Sequence, residues 1–131
     1  MPPGSRPPTA VIADDHVRVL DKVAEILSGE VTIVAKVCDG AAAVCAFAQY
    51  NPDILVLDIL MPQLSGIGAA REIRRRGSNC KIIFLSIQED PELFRAAQEV
   101  GASYVLKKKM NTDLVIALRN ELDGTHFFSS L

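Results

Sequence analysis

The stretch TAVIADDHVRVL, residues 9–20, passes from an apolar run to a helical pattern across two adjacent carboxylates. Ala10 to Ala13 read as a short strand covered on both faces, the pattern of a parallel sheet. Val17, Leu20, Val23, Ala24 and Leu27 then recur at steps of three and four. Residues 16–28 are therefore expected to form an amphipathic helix stopped by Gly29. Asp14, Asp15 and His16 fall where a buried strand ends and a helix begins.

The same alternation runs through the rest of the chain. VTIVAKV (31–37), DILVLD (53–58), KIIFLS (81–86) and SYVLK (103–107) read as strands, being short and β-branched. Helical patterns cover 41–50, 67–76, 92–100 and about 112–122. Asn51–Pro52, Gly77, Gly101 and Asp123–Gly124 stop them, and Asp90–Pro91 is a good start for the fourth. Five βα units with apolar strands need cover on both faces. Right-handed crossovers supply it, so an α/β fold with a doubly wound parallel sheet is expected.

With 131 residues the chain suits one domain. Its 49% hydrophobic and 23% charged residues suit a packed core rather than disorder. No apolar run approaches a membrane span and no signal-peptide pattern opens the chain. A formal charge of −2 gives no bulk attraction to nucleic acid or anionic lipid. Residues 1–8 read as a loose Pro-rich tail, residues 9–124 as the domain, and 125–131 as a C-terminal extension. Phe127 and Phe128 are expected to cap the apolar side of the last helix, the alternative being that they begin a connection to a further domain. Cys38, Cys45 and Cys80 form no CxxC pair and are expected as free buried or half-buried thiols in a reducing cytoplasm.

Ligands of open parallel sheets bind beyond the carboxyl ends of the strands, near the reversal of strand order. Asp14–Asp15, Asp58, Ser86 and Lys107 all fall at that edge. If the first and third strands are neighbours, three carboxylates share one crevice, which is unfavourable unless a cation or protons offset them. Hard oxygen donors suit Mg²⁺, whereas His16 is the only nearby nitrogen and makes zinc a poor fit. Neither GK[ST] nor GxGxxG is present, so nucleotide phosphates have no glycine cradle. An aspartate, a divalent ion, a hydroxyl and an ammonium suit phosphoryl transfer onto Asp58, with Lys107 and the metal offsetting charge and Ser86 donating a hydrogen bond. Taken singly, Asp58 would serve as a turn residue, Ser86 as a cap and Lys107 as solvated surface. Their joint placement on strand ends favours the site.

ADDH, LVLDILMPQLSGI, FLS and GASYVLKK, in this order and spacing, resemble the receiver domain of bacterial two-component response regulators. DDH, GASYVLKK and the ending near GTHFFS resemble the NarL/FixJ (LuxR-type) group in particular, whose receivers precede a helix-turn-helix domain. The resemblance implies a flavodoxin-like (βα)5 fold, five parallel strands in the order 2-1-3-4-5. It implies Asp58 as phospho-acceptor from a sensor histidine kinase or a small donor such as acetyl phosphate. Asp15 would ligate Mg²⁺ (with Mn²⁺ a substitute), Asp14 would act largely through water, and Leu60 would lend its backbone carbonyl. Ser86 and Tyr104 would be the switch residues and Lys107 the ion-pairing lysine. The face of helix four, strand five and helix five would change on phosphorylation, favouring self-dimerisation or releasing a DNA-binding output domain. Such a chain is a cytoplasmic signalling domain rather than an enzyme, assisting only its own phosphorylation and dephosphorylation.

Two positions depart from the wider family. Ile87 follows Ser86 where many receivers have a small residue, and is expected to narrow access to Asp58. Lys108 stands where a proline is common, which weakens the expectation of a cis peptide there. Arg71, Arg74, Arg75 and Arg76 read chiefly as a solvated basic patch, and Gly66 and Gly68 as allowing tight backbone after the acceptor loop. Three other readings compete with a transcription-linked receiver: a stand-alone interaction or phosphorelay module; a small phosphatase, which normally carries DxD on its first strand rather than DDH; and a degenerate receiver locked in one state, which only Ile87 supports.

Overall fold

The computed structural model describes residues 6–130. Five strands alternate with five helices: β1 (Thr9–Ala13), α1 (Val17–Leu27), β2 (Thr32–Val37), α2 (Gly40–Tyr50), β3 (Ile54–Asp58), α3 (Gly66–Arg75), β4 (Lys81–Ser86), α4 (Pro91–Val100), β5 (Ser103–Leu106) and α5 (Met110–Leu122). All strand pairs are parallel, in the order β2-β1-β3-β4-β5. This is the doubly wound sheet expected from the sequence.

Successive side chains of the inner strands point to opposite faces, and each face has its own core. Ala10, Ile12, Ile54, Val56, Ile83, Leu85 and Val105 pack with Leu20, Val23, Leu114 and Leu118 of α1 and α5. Val11, Ala13, Leu55, Leu57, Ile82, Phe84 and Leu106 pack with Ala43, Phe47, Ile67, Ile73 and Ala97 of α2, α3 and α4. Because both faces are covered, β1, β3, β4 and β5 are almost wholly buried, whereas the border strand β2 is half-exposed.

Caps set the helix boundaries. The carboxylate of Asp39 accepts from Ala42 N, the hydroxyl of Ser65 from Gly68 N, and Asp90 from Glu92 N ahead of Pro91. Gly101 ends α4 in the left-handed region at φ 69°.

Several expectations need correction. β5 ends at Leu106, and Lys107–Lys109 form a 3₁₀ turn leading into α5. Cys38 and Cys45 are exposed, because one follows the border strand and the other lies on the outer face of α2; only Cys80 is half-buried. Arg74 is no solvated charge: its guanidinium donates to the carbonyls of Ser78, Cys80, Val100 and Gly101. Phe127 and Phe128 do not both cap α5. Phe127 joins the α1–α5 core, while Phe128 packs on the opposite face. All peptide bonds of the described residues are trans. Of the expected N-terminal tail, residues 1–5 lie outside the described residues, and Pro8 accepts a 2.9 Å hydrogen bond from Thr32 N.

Candidate functional site

Parallel register assembles the site. Ala13 pairs with Leu57, so the next residues on β1 and β3, Asp14 and Asp58, emerge side by side at the carboxyl edge. Asp58 pairs with Leu85 and Ser86 with Leu106, which brings Ser86 and Lys107 to the same edge. Asp14, Asp58 and Ser86 are buried, and Lys107 is largely covered.

The Lys107 ammonium lies between the two buried aspartates, 2.9 Å from Asp14 Oδ2 and 3.4 Å from Asp58 Oδ2. The shorter contact lacks hydrogen-bond geometry, so Asp14 Oδ2 is a buried oxygen that accepts no hydrogen bond. Such an atom is costly unless a ligand completes it. The other Asp14 oxygen accepts from His16 N at 2.9 Å, and the exposed His16 ring approaches both Asp14 and Asp15. Burial raises the pKa of Asp58 from 3.8 to about 6. Asp14 adds to the rise, while Lys107 and the backbone N–H of Leu60 oppose it.

One oxygen or nitrogen from each of Asp14, Asp15, His16 and Asp58 lies within 4.8 Å of the others. A carboxylate-rich set with an orphaned oxygen fits a hard divalent cation such as Mg²⁺. Beside it, a cleft of about 120 Å³ is lined by Asp58, Leu60, Ser86, Ile87, Leu93 and Lys107, among others. Two open hollows of about 570 Å³ each lie elsewhere, lined by residues such as Asn51, Asn79 and Gln98. Despite their size they gather no comparable set of carboxylates, so the smaller cleft is the candidate site.

The hydroxyl of Ser86 and the phenol of Tyr104 both donate to the carbonyl of Gln88, at 2.9 and 2.7 Å. Tyr104 is wholly buried, and burial raises its pKa. Ile87 and Leu60 project outward at the mouth, each about two-thirds exposed. Gly66 sits against the end of β3: a Cβ there would lie 2.1 Å from the Asp58 carbonyl oxygen. At Gly68 the obstacle is only the flexible end of Leu64. The sequence reading missed Gly40, where a Cβ would meet Leu64 O at 2.0 Å. Asp39–Gly40 at the start of an apolar helix was the available signal.

The model of the response regulator receiver domain matches residues 10–119. The chain belongs to this family. Among curated relatives, the transcriptional regulatory protein DegU of Brevibacillus brevis is 37% identical over 108 residues, covering 81% of this chain and 46% of DegU. The probable transcriptional regulatory protein NarL of Mycobacterium tuberculosis is 31% identical, covering 82% of this chain and 51% of NarL. The receiver chain thus spans about half the length of such relatives. Among solved structures, the signal receiver domain of the putative response regulator NarL from M. tuberculosis has a TM-score of 0.85 at 28% identity, covering 92% of this chain and 99% of that one. The isolated receiver of RcsB from Salmonella enterica, solved with phosphomimetic BeF3⁻, has a TM-score of 0.86 at 27% identity, covering 95% of both chains. These relatives make the chain a receiver of NarL/LuxR type, from the response regulators of two-component systems. No helix among the described residues is long and apolar enough to cross a membrane.

Proposed function

We propose that Asp58 accepts a phosphoryl group from a sensor histidine kinase or a small acyl phosphate, and that the modification switches this receiver between two states. The observation that carries the reading is the Asp14–Lys107–Asp58 arrangement, a buried acceptor carboxylate beside an ammonium and an orphaned carboxylate oxygen. In the transfer, an Asp58 oxygen forms a bond to phosphorus as the bond to the phosphohistidine nitrogen or the acetate oxygen breaks. With its pKa near 6, Asp58 is mostly ionised at neutral pH and available as nucleophile. Lys107 already faces this carboxylate and offsets charge on the phosphoryl oxygens.

Asp14, Asp15, Asp58 and the backbone carbonyl of Leu60 would hold Mg²⁺, with Mn²⁺ as a substitute. When bound, the ion supplies positive charge to the phosphoryl oxygens. Ser86 turns from the Gln88 carbonyl towards the new oxygens, and Tyr104, which shares that carbonyl, follows. Ile87 at the mouth slows entry of donors and of attacking water. The altered α4–β5–α5 face promotes self-association or releases a DNA-binding domain carried elsewhere in a longer protein, as in a cytoplasmic transcription regulator. In this role the chain is a signalling domain without a separate substrate.

Intact mass after incubation with acetyl phosphate and Mg²⁺ tests the reading. One added phosphoryl unit, absent with EDTA and in Asp58→Asn, is the expected result. No gain from either acetyl phosphate or a cognate phosphohistidine donor would overturn it.

A further inference from the structure

Beyond α5 the chain returns along the outer border of β5. Tyr104 N donates to Phe127 O and Ser129 N donates to Tyr104 O, each at 2.8 Å, forming a parallel bridge between Tyr104 and Phe128. Both ends of this segment are fastened by side chains. At one end Phe127 N donates to Ser103 Oγ at 2.9 Å; Ser103 in turn donates to the buried Glu121, which His126 contacts at 2.7 Å. At the other end the buried Ser129 hydroxyl donates to Asp113 at 2.6 Å and accepts from Leu106 N at 3.1 Å. Between them Phe128 meets the ring of Phe94 edge-on at 6.0 Å, and Phe94 meets Tyr104 edge-on at 4.4 Å.

Sheet borders expose unpaired N–H and C=O groups unless something covers them. Here the cover is tied to the residues that read the site. Tyr104 supplies the backbone that the segment pairs with, and its phenol shares the Gln88 carbonyl with Ser86. Leu106, bonded to Ser129, directly precedes Lys107, whose ammonium faces Asp58.

We propose that residues 125–130 are a phosphorylation-controlled strap, closed on β5 while Asp58 is unmodified and loosened when Ser86 and Tyr104 rearrange. The inference rests on the receiver reading above and assigns it a moving part. When Ser86 leaves the Gln88 carbonyl, the loop that holds Tyr104 shifts, Phe94 shifts with it, and Phe128 loses its packing partner. Loosening bares the amides of Tyr104 and Leu106 at the border of β5, within the face where the receiver would meet its next partner. The coupling is reciprocal: a weakened strap favours the phosphorylated state as much as phosphorylation weakens the strap.

Hydrogen exchange read by mass spectrometry, with intact mass taken on the same sample, tests this on the full chain. In the sample carrying one phosphoryl unit, peptides spanning 103–106 and 125–130 are expected to exchange about tenfold faster, a shift of about 1.4 kcal/mol in opening. Peptides from β2, at the opposite border of the sheet, are expected to keep their rates. Phe128→Ala is expected to exchange faster before phosphorylation and to reach half-modification at a lower acetyl phosphate concentration. A phosphoryl unit with unchanged or slower strap exchange would overturn the strap and leave the receiver reading intact. Unchanged phosphorylation in a Phe128→Ala chain whose strap does exchange faster would also overturn it, by breaking the coupling. No mass gain in any sample, with acetyl phosphate or with a cognate phosphohistidine donor, would overturn both.

Discussion

The two ends of the sheet treat buried charge in opposite ways. At the amino end, the Arg74 guanidinium reaches four carbonyls, those of Ser78 and Cys80 before β4 and of Val100 and Gly101 before β5. At the carboxyl end, Asp14 and Asp58 share the ammonium of Lys107, Asp15 lies beside them against the His16 ring, and Asp14 Oδ2 receives no hydrogen bond. The first arrangement is saturated and joins elements. The second is short of positive charge, and burial, with Asp14 alongside, raises the pKa of Asp58 to about 6. A charge with every partner in place marks structure, whereas a cluster left incomplete marks a place for a ligand.

Substitutions at the two ends should therefore fail differently. The largest effect is expected from Asp58→Asn: loss of phosphoryl uptake, seen as the missing mass shift, with the fold retained by circular dichroism. Arg74→Ala is expected to keep uptake in its folded fraction but to lower stability by about 3 kcal/mol in urea unfolding, because four carbonyls lose a charged donor. Loss of uptake by well-folded Arg74→Ala would break the comparison.

The next effect runs opposite in sign. Asp58 holds its proton more tightly folded than unfolded, so its contribution to stability is full below about pH 4 and is lost as pH rises through about 6. Without divalent cations, Asp58→Asn is expected to be more stable than the parent by about 2 kcal/mol at pH 7.5. The rise in pKa sets a ceiling of about 3 kcal/mol. The advantage should vanish near pH 4. A destabilised Asp58→Asn at neutral pH would show the cluster to be structural. Smaller again is the response to Mg²⁺: about 1.4 kcal/mol at ten times Kd, measured from the unfolding midpoint, and absent in Asp15→Asn. Last, Ile87→Ala is expected to raise both phosphorylation and phosphate loss a few-fold by opening the mouth. Unchanged rates would remove Ile87 as an access residue.

Much of this was legible in local pattern. Apolar strands, helix stops and strand-end carboxylates each lie within a few consecutive residues, so the alternation and the placement of Asp14, Asp58 and Ser86 followed from sequence. Lys107, expected as the last residue of its strand, falls one residue beyond β5, because the 3₁₀ turn into α5 has no period long enough to read. Arg74 lay in a run of arginines, and nothing in that run tells which one meets carbonyls distant in sequence. Phe127 and Phe128 are adjacent apolar residues with no period. Only the pairing of their backbone with Tyr104 sends them to opposite faces. The exposure of Cys38 and Cys45 likewise depends on which strand is a border and which face of α2 turns outward.

The most direct test of the central claim, that Asp58 is the phospho-acceptor, is chemical mapping. Borohydride reduces an aspartyl phosphate to homoserine, so treatment of the phosphorylated chain followed by tandem mass spectrometry marks the modified carboxylate. Homoserine at position 58, with Asp14 and Asp15 unchanged, is the expected result. Homoserine at position 14 or 15, or a phosphorylated chain whose position 58 remains aspartate after reduction, would contradict it.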